Sequence, residues 1–114
     1  MPERQLEVLR GTVDLLILKA VSWDPMHGYA VAQRIERATD GVLRIEEGTL
    51  YAALHRLENR EWIAAAWGRP ENNLRAKFCT LTPKGRAQLR VETKDWTRYA
   101  ATIFTALHAP AVPT

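Results

Sequence analysis

The chain has 114 residues, of which 46% are hydrophobic and 25% are charged, a composition typical of one ordinary globular domain. Its densest apolar run, residues 15–18, is far too short to span a membrane, and the charged N-terminus lacks the apolar segment of a signal peptide. The single cysteine, Cys79, excludes an internal disulfide and a multi-cysteine zinc site. These features predict a cytoplasmic protein with no membrane partner.

Positive charge is concentrated in one short stretch. The net charge is only +3, but residues 67–86 include five basic side chains against one acidic side chain, Glu71. Such a cluster is typical of a local contact with an anionic surface. A solvated run of charges without a partner explains the pattern equally well, so charge alone leaves both interpretations open.

Two short helices are predicted near the N-terminus. The first begins after Thr12, which suits the N-cap position, and it is apolar on most sides, as a buried helix is. Turn-forming residues 24–28 end it. The second helix follows over about residues 29–38, with Gly41 as its C-terminal cap. Residues 42–45 form an apolar link, part of which can pair as a small strand.

A third helix and a hairpin follow. The helix is expected over residues 47–61, because Leu50, Leu54 and Leu57 are spaced as one buried stripe. Residues 62–67 and 77–81 are predicted as two strands, and residues 68–73 have the composition of a turn. The exposed side of the helix is then expected to consist of Gly48, Thr49, Ala52, His55, Arg56, Asn59 and Arg60.

The last helix has the most regular pattern. Thr82 and Pro83 form a strong helix start, as N-cap and first helical residue, and the helix extends to about His108, over roughly 39 Å at 1.5 Å per residue. A domain of this size cannot cover so long a helix, so we expect a second copy of the chain to pack on it. The predicted dimer seam, with alternating spacings of four and three, consists of Leu89, Thr93, Trp96, Ala100, Ile103 and Leu107.

This order of elements predicts a mainly α fold with a small β-hairpin, a winged helix-turn-helix. Residues 1–81 are expected to form the winged-helix DNA-binding domain, residues 82–109 a long C-terminal dimerisation helix, and residues 110–114 a disordered tail. In this fold the third helix enters the major groove and the hairpin, or wing, reaches phosphate or the minor groove. Winged helices also act as protein-interaction modules, so a module without a DNA site is the alternative.

Several motifs in combination resemble the PadR family of bacterial transcriptional regulators. They are LRGT (residues 9–12), LLIL (15–18), PMHGY (25–29), EGTLYAALHRLE (47–58), ENN (71–73) and RAKF (75–78). The length is similar to the short branch, which has one C-terminal dimerisation helix, and to members found beside permease genes. The resemblance implies a homodimeric DNA-binding repressor. The chain departs from the family pattern at Ala52, where Pro is frequent, and at Leu74 and Cys79, where a basic residue and Tyr are usual.

The candidate DNA contacts lie on the third helix and on the hairpin. On the helix, Thr49 and Arg56 are expected to read bases, Tyr51 to touch phosphate, and Ala52 and Arg60 to lie beside them. On the hairpin they are Asn72, Asn73, Arg75 and Lys77. The arginines can instead pair with neighbouring Glu58 and Glu61, and the two asparagines can serve only the turn. For Tyr29, a buried ring is favoured.

No catalytic or metal site is predicted. His27, His55 and His108 lie on separate elements without the spacing of metal ligands. Cys79 lacks an activating base and fits a small buried hydrophobe. The sequence therefore predicts a protein that is not an enzyme and has no cofactor.

Trp96 is the one residue that could recognise a small ligand. At the dimer centre, beside the small Thr93 and Ala100, it could line a gap for a planar aromatic effector. Plain packing between two helices accounts for the same residue, so both interpretations stay open.

Overall fold

The computed structural model describes residues 6–7, 11–68 and 76–111. These ranges form a three-stranded antiparallel sheet, a two-stranded parallel pairing and four helices, which confirms the mainly α fold with a small β-hairpin. The elements, in chain order, are β1 (Leu6–Glu7), α1 (Val13–Trp23), β2 (Met26–His27), α2 (Gly28–Ala38), β3 (Leu43–Arg44), α3 (Glu47–Asn59), β4 (Ile63–Gly68), β5 (Ala76–Leu81) and α4 (Pro83–Leu107).

The core forms where α1, α2 and α3 pack together. Ile17 and Leu18 of α1 are fully buried, as the apolar run predicts. On α3 the buried stripe is the predicted one of Leu50, Leu54 and Leu57. Removing this apolar surface from water is the main favourable term in folding. The buried stripe therefore also fixes the direction in which the opposite, polar side of α3 faces.

The end of α2 differs in detail from the prediction. The amide of Gly41 donates a hydrogen bond to the carbonyl of Glu36 at 2.7 Å, and the amide of Asp40 donates to Arg37 at 3.1 Å, which together make a Schellman motif. The left-handed residue immediately after the cap is Asp40, with φ of 51°. Gly41 is thus the second residue beyond the cap, not the cap itself.

The end of α3 repeats this arrangement. The amide of Trp62 donates to the carbonyl of Leu57 at 3.1 Å, and Glu61 adopts the left-handed conformation with φ of 63°. The helix therefore ends at Asn59 and not at the predicted residue 61. A glutamate gives no sequence signal for such a turn, because this conformation is usually taken by glycine or asparagine.

The sheet is larger than the sequence predicts. β4 and β5 form the expected antiparallel hairpin, but β5 also pairs with β2, through Met26 with Cys79 and His27 with Phe78. Two residues in a turn-rich stretch are too few to show a period of two. His27 Nδ1 also accepts a hydrogen bond from the amide of Ala30 at 3.4 Å. β2 therefore joins the sheet directly to the first turn of α2.

The start of α4 agrees with the prediction. Thr82 is the N-cap, and its Oγ1 accepts from the amide of Gly85 at 2.9 Å. The helix then passes very close to the beginning of the hairpin. A Cβ atom on Gly85 would lie 1.9 Å from the carbonyl oxygen of Trp62, so only glycine fits at this crossing.

The first part of α4 packs within its own chain. Leu89, predicted as a dimer contact, is only 8% exposed and belongs to the core cluster, because α1 packs against this end of the helix. This corrects its assignment to the dimer seam. From Thr93 to the end of the described helix every residue is exposed in the single chain. The predicted tail falls partly outside the described residues.

We expect Gly85→Ala to destabilise the protein by about 3 kcal/mol or more, since overpacking against backbone cannot be relieved by a rotamer change. Urea unfolding followed by circular dichroism measures this change. Gly48→Ala is the matched control, because a Cβ there meets nothing within 4 Å, and we expect it to stabilise α3 by about 0.5–1 kcal/mol. Equal stability of both variants would contradict the close approach.

Candidate nucleic-acid interface

The polar side of α3 is exposed over its whole length. Helical geometry places His55 and Asn59 at the centre of this side, with Thr49 and Arg56 at one edge and Tyr51 at the other. The predicted contacts do not include His55 or Asn59, although a helical projection of residues 47–59 already puts them there. The exposed residues are Glu47, Gly48, Thr49, Tyr51, Ala52, His55, Arg56 and Asn59, followed by Arg60 at the C-cap.

Two arginines of this surface fold back onto α1. Arg56 donates from Nε to Asp14 Oδ2 at 3.3 Å and from Nη2 to Asp14 Oδ1, and Arg60 Nη1 lies 3.8 Å from Asp14 Oδ2. The hydrogen bonds to Asp14 raise the pKa of the Arg56 guanidinium above its ordinary value. The alternative of pairing with Glu58 and Glu61 is therefore corrected: the acidic partner is on another helix.

The hairpin is connected to α3 by an ion pair. Lys77 Nζ lies 3.3 Å from Glu58 Oε2, so the start of β5 lies beside α3 and part of the charge of Lys77 is offset. Lys77 is the predicted hairpin contact that falls within the described residues. Asn72, Asn73 and Arg75 lie outside them.

Trp67 is an exposed aromatic residue on the same face of the hairpin as Lys77. The two residues pair across β4 and β5, and Trp67 is 61% exposed. Alternation along the strands puts them on the face where Ile63 and Cys79 are buried, which is the face toward α3. This proximity depends on the strand register, which the sequence pattern does not specify.

Tyr51 packs over the start of α2. A Cβ on Gly28 would lie 2.9 Å from Cε1 of Tyr51, so the glycine lets the ring approach the helix closely. About half of Tyr51 remains exposed, which leaves it accessible at the edge of the α3 surface.

Tyr29 is 63% exposed, so the prediction of a buried ring there is wrong.

A cleft separates α3 from the sheet. The Cys79 thiol lies in its wall, and burial raises the pKa of this thiol, as does the nearby Glu58 carboxylate. A protonated, buried thiol behaves as a small hydrophobe rather than as a nucleophile. The cleft has a volume of about 240 Å³ and is lined by Gly28, Tyr51, Leu54, His55, Glu58, Lys77 and Cys79.

The described ranges contain neither a cluster of metal ligands nor a helix that could span a membrane. No three His, Cys, Asp or Glu side chains in residues 6–7, 11–68 and 76–111 are grouped so that they could hold a metal ion. Within the same ranges, every helix is too short or too polar to cross a bilayer.

The far half of α4 presents an apolar stripe in the single chain. Trp96, Ile103 and Leu107 of the predicted seam are 38%, 41% and 75% exposed, and the small Thr93 and Ala100 between them are exposed as well. Two further aromatic residues, Tyr99 and Phe104, widen the stripe, and the Trp96 and Tyr99 ring centroids are 5.6 Å apart. The predicted seam, with its alternating spacings of four and three residues, does not include Tyr99 and Phe104 because they lie at its edges.

The chain matches the transcriptional regulator PadR-like family over residues 17–91, which is more than half of its length. It belongs to the PadR-like family. An uncharacterised protein of Lysinibacillus sphaericus is 33% identical over 90 residues, which cover 79% of this chain and 83% of that protein.

Two solved structures illustrate the similarity of this PadR-like chain to other regulators. A transcriptional regulator from Clostridium thermocellum has a TM-score of 0.76 and 30% identity, over 84% of this chain and 93% of that chain. A PadR-like transcriptional regulator from Bacillus cereus has a TM-score of 0.78 and 22% identity, over 90% of this chain and 97% of that chain, a likeness in fold. The PadR resemblance and the winged-helix fold predicted from the sequence are thus confirmed.

Proposed function

We propose that this PadR-like regulator is a homodimer that binds specific sequences in double-stranded DNA and represses transcription. The observation that supports this most is the position of the hairpin beside the exposed side of α3, where Lys77 Nζ lies 3.3 Å from Glu58 Oε2. In a winged helix this pairing of surfaces lets the helix enter the major groove while the wing reaches phosphate or the minor groove. The proposed contacts are Thr49, Tyr51, Ala52, Arg56, Arg60, Asn72, Asn73, Arg75 and Lys77.

The proposed contacts divide into two kinds. Thr49 and Arg56 would face base edges and supply sequence preference, whereas Tyr51 and the cations of the wing would bind phosphate and supply affinity. Three of the cations already have acidic partners, Arg56 and Arg60 with Asp14 and Lys77 with Glu58. The duplex therefore has to compete with a carboxylate at each of these positions.

A protein-docking module remains the rival function, and the salt dependence of binding separates the two. Duplexes selected from a random pool with the wild-type protein supply a binding site to measure. Neutralising phosphates releases counterions, so the logarithm of the affinity must fall linearly with the logarithm of the salt concentration. Transcription from a promoter that overlaps the selected site should fall when the protein is added, because a bound repressor blocks the polymerase. A rise would identify an activator.

Variants of the wing and of α3 should affect DNA binding differently. We expect Arg75→Ala and Lys77→Ala to weaken binding to every duplex alike and to lower the salt slope by about one unit each. Thr49→Ala should instead relax the preference at one or two base pairs. Fluorescence anisotropy on selected and scrambled duplexes measures both effects.

The matched control for the wing variants is Lys94→Ala, which removes the same charge from an exposed position on α4. It should leave the salt slope unchanged. Identical profiles for the wing variants and for Thr49→Ala would contradict the proposed division between affinity and sequence preference.

The exposed stripe of α4 supports the homodimer. A stripe of large apolar side chains on a helix in water is costly unless another surface covers it, and a second copy of the chain is the simplest cover because it offers the same stripe. The proposed interface consists of Thr93, Trp96, Ala100, Ile103 and Leu107, with Tyr99 and Phe104 at its edges.

Ile103→Glu should dissociate the dimer, because the substitution would bury an unpaired charge in the interface. Light scattering at micromolar concentration should give twice the chain mass of 13.0 kDa for the wild type and the chain mass for the variant. Ala101→Glu is the control, since Ala101 lies on the opposite side of the helix and its replacement should leave a dimer. A monomeric wild type would exclude this proposal.

Trp96 supports a planar aromatic effector as a further part of the proposed function. Its ring packs against Tyr99 and is partly exposed, so two copies together would offer an aromatic-lined gap. Planar aromatic compounds should therefore quench part of the tryptophan emission, and Trp96→Ala should abolish this response in a protein kept well above its dissociation constant. Trp67→Phe is the control and should keep the response. Quenching that persists without Trp96 would place the ligand elsewhere.

A further inference from the structure

Asp14 connects α1 to the surface of α3 through two arginines. Arg56 and Arg60 are one helical turn apart and converge on the two oxygens of this carboxylate. The Asp14 side chain is 18% exposed, whereas those of Arg56 and Arg60 are 44% and 51% exposed. The acid is therefore held by its surroundings, and the two guanidinium groups remain within reach of solvent and of any anion that approaches α3.

The contact has a larger effect on charge than on folding. Asp14 is mostly buried, but the two guanidinium groups are about half exposed, so solvent screens the pairs and limits what they add to stability. Their effect on the local field is not small, since one carboxylate reduces two adjacent cations to a net charge of +1. A phosphate has to compete with Asp14 before it can bind either arginine, and this competition is the same for every DNA sequence.

The contact also fixes orientation. A guanidinium held at two points by a carboxylate keeps one plane and one direction, whereas a free arginine samples many rotamers. An Arg56 side chain that is already ordered loses less entropy when it meets a matching base edge. The same restraint gives no advantage at a random phosphate, which a mobile side chain reaches equally well.

We propose that Asp14 is a positioning residue for sequence specificity. It restrains Arg56 and Arg60 and suppresses binding to arbitrary duplexes, and so widens the difference in affinity between the operator, which is the specific binding site, and other DNA. This inference rests on the proposed DNA-binding function. Asp14 itself touches no DNA and acts through the two arginines.

The decisive variant is Asp14→Asn, which keeps the shape and removes the charge. Affinity for a scrambled duplex should rise about three- to tenfold and the salt slope should steepen by about one unit, because one further cation becomes available to phosphate. The ratio of operator affinity to scrambled-duplex affinity should fall about fivefold or more. A residue that only stabilised the fold would weaken binding to both duplexes and leave the salt slope unchanged.

Two further variants complete the test. Asp24→Asn makes the same change in charge at the end of α1, where the carboxylate is 62% exposed and 3.9 Å from Arg34, and it should leave the affinity ratio unchanged. Asp14→Glu keeps the charge beside the two arginines but moves the carboxylate out of its two-point contact with Arg56, so it should lower the ratio without steepening the salt slope. This variant leaves both arginines in place and keeps the inference testable where Asp14→Asn unfolds.

The outcomes separate this inference from the function on which it rests. A wild-type protein whose DNA binding shows no salt dependence overturns the proposed function, and this inference with it. The role of Asp14 alone is overturned if the wild type binds specifically but Asp14→Asn keeps its ratio of operator affinity to scrambled-duplex affinity. The ratio counts as kept when it is within twofold of the wild-type value or equal to that of Asp24→Asn.

Discussion

The backbone of one residue, Trp62, fixes how the parts of this PadR-like chain are arranged. Its N–H closes the last turn of α3 on Leu57, and its carbonyl accepts from the amide of Thr82 at 3.1 Å. The Thr82 hydroxyl donates to the neighbouring carbonyl of Glu61 at 2.7 Å and also lies 3.0 Å from that of Trp62. Gly85 then passes against the same carbonyl. The end of α3, the start of the hairpin and the start of α4 therefore meet at the backbone of Trp62, here called the Trp62 junction, and none can move without breaking these hydrogen bonds.

The features predicted correctly were those with a local physical cause. The stripe of Leu50, Leu54 and Leu57 and the Thr82 cap depend only on residues within a few positions, so spacing and capping chemistry were sufficient. β2 was missed because two residues have no detectable period. The left-handed Glu61 was missed because its conformation is imposed by the packing around it rather than by its own preference.

The site was less predictable, since its electrostatics depend on residues distant in sequence. The exposed side of α3 followed directly from its buried side, but the partner of Arg56 is 42 positions away on α1, and no local pattern connects the two. Lys77 and Glu58 are likewise brought together only by the fold. Counting charges along residues 67–86 therefore overstates the free positive charge, because carboxylates outside that stretch offset part of it. Leu89 shows the same limit for packing: a heptad pattern marks a buried stripe but does not say which chain buries it.

The position of Leu89 has a mechanical consequence for the proposed dimer. One stripe of α4 begins in the core of its own domain, at Gly85 and Leu89, and continues without a break into the exposed part that a second copy would cover. α4 therefore couples the interface rigidly to the Trp62 junction and, through it, to α3.

From Ile103 to Gly85 the helix rises about 27 Å at 1.5 Å per residue. A change of about 5° in the crossing angle of the two helices would therefore displace the start of α4 by roughly 2 Å, on the scale of the helix shifts that accompany allosteric transitions at subunit interfaces. In the proposed dimer, an effector between the Trp96 side chains would not need to deform either winged helix, because a small change in that angle would alter the separation of the two α3 helices and thus their fit to successive major grooves.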